Sequence, residues 1–184
     1  MAMIRNTRDS FGLLSVIFHW LIAITVIGLF GLGFWMVELG YYDHWYTKGP
    51  DLHRSFGLCL FLCVIISLSW RLIQIKPTHL DTHNKFERIS GQLMHALLSF
   101  MLIIVLLTGY FISTAEGSTI EVFSLFEVPG FGSFIENQED KSGIAHKYTA
   151  YILIIAALSH SLAALKHHFI DKDDTLNRML MRKR

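Results

Sequence analysis

Residues 148–165 read YTAYILIIAALSHSLAAL, eighteen positions without a charge, bracketed by Lys147 and Lys166. That is the length of a transmembrane helix. Three histidines accompany the run: His146 just before it, His160 inside it and His167 just after it. At roughly 100° per residue, the step from His146 to His160 leaves them only about 40° apart around a helix axis. The step on to His167 adds about 20° of drift in the same sense. At about 1.5 Å per residue, His146 and His160 are separated by about 21 Å along the axis. One helix face therefore carries an imidazole near one membrane surface, a second well across the bilayer and a third at the far surface. A polar group inside a bilayer costs several kcal/mol unless it is satisfied, so His160 needs a partner. A hydrogen bond to a neighbouring helix would serve, and so would a metal.

Working outward, three more apolar runs appear. The first is charge-free from Ser10 to Val37, the second lies between Arg54 and Arg71, and the third is charge-free from Ile89 to Ala115. With snorkelling arginines included, the expected spans are about 11–37, 51–75, 89–115 and 144–168. Trp35, Tyr41, Tyr42, Trp45 and Tyr46 mark one interface, Trp20 and Trp70 the other. With 184 residues, 52% of them hydrophobic, and a mean hydropathy of +0.42, the chain reads as an integral membrane protein over its whole length. The fold class expected is an all-α, four-helix antiparallel membrane bundle. The connections fall at 38–50, 76–88 and 116–143, the last a long loop rich in Gly, Phe and acid.

Formal net charge is only +1, so nothing points to nucleic acid. The distribution of charge is more informative. Arg5, Arg8, Arg71, Lys76, Lys85, Arg88, Lys166, Lys172, Arg178, Arg182, Lys183 and Arg184 fall on one side, against Lys48, Arg54, Lys141 and Lys147 on the other. The positive-inside rule then puts both termini and the middle connection in the cytoplasm. The outer side carries nine acids, six of them in the 116–143 loop. Cys59 and Cys63, four apart in an apolar run, make no good disulfide on a helix. No CxxCH motif is present for covalent c-type haem, and the N-terminus shows no cleavable signal pattern.

Sorted by depth, His53 opens the second helix level with His146. His19 and His95 both lie close in depth to His160. His44, His79, His83 and His168 fall in loops or at an edge and read as ordinary solvated histidines. A haem b iron with two axial imidazoles needs one histidine from each of two helices at one depth. His53 with His146 satisfies that on the outer side. On the inner side His160 pairs with either His19 or His95, and depth alone does not choose.

At this point the residues resemble a known family. Phe18-His19-Trp20, His53-Arg54-Ser55-Phe56-Gly57, Met94-His95 and the His146 to His160 spacing are similar to the bacterial cytochrome b561 family. Ala164-Leu165-Lys166-His167-His168-Phe169 and Asp171-Lys172-Asp173-Asp174-Thr175-Leu176 complete a likeness that covers essentially the whole chain. The resemblance implies an inner-membrane protein with two b haems that exchanges electrons with ubiquinone, one branch of the family oxidising superoxide at the periplasmic face. It also implies His19 and His160 as ligands of the inner haem, and His53 and His146 as ligands of the outer one. His95 and His167 are then left beside the inner haem, where the family binds quinone, with His167 able to donate a hydrogen bond and a proton.

Arg54 and Lys147 adjoin the outer ligands, and would contact haem propionates or guide an anion. The acidic loop fits a basic periplasmic donor protein as well. Two rival readings remain at this level. One is a cytochrome b subunit of a larger redox complex. The other is a metal-ion transporter with a histidine relay, a class that usually brings carboxylates into the membrane and shows internal repeats. The four spans here carry no internal Asp or Glu and show no repeat.

Overall fold

A computed structural model describes residues 4–78, 80, 82 and 84–181. His79, His83 and the last three basic residues of the tail lie outside the described residues. The four long helices are α1 (Leu13–Met36), α2 (Lys48–Leu72), α3 (Lys85–Ser113) and α4 (Gln138–Phe169). All four are long and apolar enough to cross a membrane, and the fold is a four-helix membrane bundle. Their flanks are strongly exposed: Ile24, Ile27, Leu158 and Leu162 are each at least 60% accessible. Side chains of that kind on an isolated chain are the surface that lipid covers.

The helix ends follow from local chemistry. Pro50 sits in the first turn of α2, where its missing N–H costs nothing. Asn84 and Glu87 form a reciprocal capping box on α3: the Glu87 N–H donates to Asn84 Oδ1 at 2.9 Å, and the Asn84 N–H to Glu87 Oε2 at 3.1 Å. This cap starts the helix at Lys85, four residues before the charge-free run. Glu139 and Asp140 occupy the first turn of α4, and Lys166, His167 and His168 its last, both complementing the helix dipole. α4 accordingly begins at Gln138, before its apolar stretch.

Two compact units divide these helices between them. One gathers the chain up to Ala23, Cys63–Ser99 and the chain from Ile155 onward, and so holds both termini. Asn6 organises it locally. Its Oδ1 accepts from the Gly12 N–H and Ser15 Oγ, both at 2.8 Å, and its backbone N–H donates to Gln74 Oε1 at 3.0 Å. A short helix α5 (Thr175–Met179) follows α4, and the Trp20 indole N–H donates to the Met179 carbonyl at 2.9 Å.

The other unit holds Ile24–Leu62 and Phe100–Ile154. Within it, the connection expected as a plain loop contains a β-hairpin, β1 (Ile120–Val122) paired antiparallel with β2 (Phe126–Val128). Strands of three residues carry too little alternation to register in a sequence. Ile120 and Val122 are buried, and the backbone runs through positive φ at Phe123 and Ser124. Both bulky and polar residues resist that conformation. A latch to α2 holds it: the Phe123 N–H donates to the buried Ser55 Oγ at 3.1 Å, and the Phe123 ring lies edge-on to Phe56.

Candidate functional site

In the hairpin unit, α2 and α4 bring His53 and His146 together, with ring centroids 6.1 Å apart and planes at 72°. The two rings are held differently. His146 Nδ1 lies 2.9 Å from the Val105 carbonyl and 3.3 Å from Thr108 Oγ1. A carbonyl only accepts, so Nδ1 carries the hydrogen and the Nε2 lone pair is left free to ligate. His53 Nδ1 is buried without a hydrogen-bond partner. Its edge faces Gly33 of α1, while the equivalent edge of His146 faces Gly109 of α3.

In the unit holding the termini, α1, α3 and α4 contribute His19, His95 and His160. The His19 and His160 rings are 6.4 Å apart at 68°, whereas His95 and His160 are 4.9 Å apart. An iron bridging two imidazoles needs centroids about 6 Å apart, from two bonds of about 2.0 Å and about 1.1 Å from each nitrogen to its ring centre. His53 with His146 and His19 with His160 meet that requirement. His95 stands too close to His160 for an iron in line between the two rings. The donor set, four imidazoles and no thiolate or carboxylate, fits haem b.

At the C-terminal end of α4 lies an ionic cluster. Lys166 Nζ contacts Asp171 Oδ2 at 2.6 Å and Glu87 Oε1 at 2.9 Å. His167 Nδ1 lies 2.8 Å from Asp171 Oδ2 and 3.5 Å from Asp173 Oδ2. The Lys166 ammonium holds the Asp171 carboxyl below the usual carboxylate range. Glu87, His167 and Asp171 come close enough to hold a cation, but Lys166 already bridges the two carboxylates. The sequence singled out His167 and missed these partners. The signal for one of them was present, since Asp171 falls four residues after His167, one helical turn on.

On the hairpin side, Arg54 is engaged by Asp51 in an ion pair one turn away. Lys141 donates to the Glu136 carbonyl at 2.8 Å, and Lys48 Nζ lies 3.0 Å from His44 Nε2. Lys147 is exposed beside Glu139 and Asp140 in a shallow depression also formed by Ile112 and Tyr148. The remaining edge histidine, His168, stacks edge-on against Phe169.

Comparison with known proteins agrees with this geometry. A family profile described as "Prokaryotic cytochrome b561" matches residues 10–182. "Cytochrome b561 homolog 2" of Escherichia coli (strain K12) is 43% identical over 175 residues, covering 95% of this chain and 93% of that protein. "Probable superoxide oxidase CybB" of Yersinia pestis is 27% identical over 188 residues, covering 96% of this chain and 99% of that protein. Four membrane helices, paired imidazoles and a match along nearly the whole length converge on one conclusion: the chain belongs to the prokaryotic cytochrome b561 family, multi-pass membrane proteins that bind haem b and transfer electrons across the membrane.

Proposed function

We propose that residues 1–184 form a single di-haem unit of the bacterial inner membrane, with both termini cytoplasmic, that passes electrons from a periplasmic donor to ubiquinone. His19 and His160 hold the inner haem b, His53 and His146 the outer one. The observation that carries this reading is the pair of ring separations, 6.4 and 6.1 Å, each suited to one iron. Haem b, when bound, supplies a one-electron iron couple at each site.

The chain's own residues divide the remaining work. Reduction of a quinone to a quinol takes two electrons and two protons, so the inner end needs a proton source. His167 is suited to that task in its protonated form: Asp171 Oδ2 lies 2.8 Å from Nδ1, and the Nε2–H of the imidazolium is the hydrogen that a quinone carbonyl accepts. His95 supplies a second contact, since it is not needed as a ligand. At the outer end, Lys147 adjoins His146 and is exposed, which favours capture of a small anion such as superoxide. The Yersinia relative's name, as a probable superoxide oxidase, supports that donor. The nine acids of the outer side favour instead a small basic redox protein, and charge reversal at Lys141 and Lys147 separates the two donors.

Purified protein should contain two b haems per chain, both low-spin, by visible spectrum and haemochrome assay. A single haem, or a mainly high-spin spectrum, would overturn the assignment.

A further inference from the structure

Two glycines lie where a side chain would strike an imidazole. A Cβ built on Gly33 would sit 3.1 Å from His53 Cε1 and 3.5 Å from its Nδ1. One built on Gly109 would sit 3.1 Å from His146 Cε1 and 3.3 Å from its Nδ1. Optimal carbon contacts are about 3.5–4.0 Å, so each ring would have to yield. Glycine is the poorest helix former after proline, so its presence inside α1 and α3 at these two positions asks for a reason.

The pattern is regular. α1 backs the ligand on α2, and α3 backs the ligand on α4. In both cases the Cε1–Nδ1 edge faces the glycine. Gly109 also follows Val105 by one helical turn, and the Val105 carbonyl accepts the His146 Nδ1–H. The bare backbone at Gly109 is what lets the imidazole reach that carbonyl. A methyl there would press on the ring beside the hydrogen bond that sets its tautomer. Among the described residues no glycine stands against His19, His95 or His160.

We infer that Gly33 and Gly109 are positioning residues for the outer haem: they set the rotation of the two imidazoles and the approach of each Nε2 to the iron. This rests on the di-haem reading, and only the outer site is governed this way.

The test compares Gly33→Ala and Gly109→Ala with Gly31→Ala and Gly91→Ala, two helix positions where an added Cβ meets nothing within 4 Å. Low-temperature electron paramagnetic resonance and a redox titration of the purified protein read each low-spin centre separately. Gly33→Ala and Gly109→Ala should shift or abolish the outer-haem signal and leave the inner one unchanged, while both control variants keep both signals. Outer-haem signals and potentials identical to wild type in both test variants would overturn the inference.

A second measurement separates ring positioning from general helix packing. With His146→Gly and free imidazole supplied, the detached ring can settle away from the methyl. Adding Gly109→Ala should then no longer alter the outer signal. An effect that persists there, or loss of the protein in both backgrounds, assigns the glycine to packing and sinks the proposal. A wild-type protein with one haem would instead sink the di-haem reading itself.

Discussion

The two units treat their histidines in opposite ways. The hairpin unit offers one pair, His53 and His146, with each ring backed by a glycine and one anchored to a carbonyl. The unit holding the termini offers three imidazoles, and at the C-terminal end of α4 it collects Glu87, Lys166, His167 and Asp171. The hairpin unit holds two imidazoles and no third histidine beside them among the described residues. The unit holding the termini keeps an extra histidine and an ionic network. That contrast is what a conductor of electrons alone, and a site where electrons meet protons, would respectively require.

The largest effect should come from the ligands. His53→Ala or His146→Ala should each remove the outer haem and spare the inner one, and His19→Ala should do the reverse. His95→Ala should leave both haems, as scored by visible and magnetic resonance spectra. Loss of the inner haem on replacing His95 but not His19 would break the comparison, since the surplus imidazole would then be His19.

A smaller effect is expected at the proton-handling end. His167→Ala should slow quinone-dependent turnover on the order of a hundredfold, the low end for a positioned proton donor, with both haem spectra unchanged. Asp171→Asn should slow it by roughly tenfold, about the worth of one charge-assisted hydrogen bond. Because Lys166 lowers the Asp171 pKa, the carboxylate's contribution is fully present above the ordinary carboxylate range and is lost only as pH falls through the lowered value. A pH–rate profile should therefore show no Asp171 step near neutrality. Unaltered turnover in His167→Ala would remove that residue from the mechanism.

The smallest effect belongs to the outer surface. If superoxide is the donor, Lys141→Glu with Lys147→Glu should slow haem reduction several-fold and flatten its salt dependence, because steering fades as the Debye length shrinks below about 8 Å. Most of that loss should come from Lys147, since Lys141 is tied to the Glu136 carbonyl. Reduction by a basic protein docking on the acidic face would be unchanged or quickened in the same variant.

Much of this was legible in the sequence because a bilayer imposes one-dimensional rules. Charge-free length gave the four spans, and depth sorted the histidines. The hairpin was not legible, since Ile120 and Val122 alternate over only three residues and Ser55 gives no sign of the latch it forms. Nor could depth separate His19 from His95, which lie at one level. Their ring separations from His160 differ, 6.4 against 4.9 Å, and that depends on helix rotation and packing. The glycines at 33 and 109 look like any of the thirteen in the chain until the rings beside them are seen.

Both proposed ligand pairs draw one member, His146 or His160, from α4, the last long helix to be synthesised. Neither pair exists while the ribosome is still making the first three helices. Two-imidazole ligation is thereby deferred to the end of membrane insertion, and a chain stalled before α4 would offer each haem one imidazole in place of two.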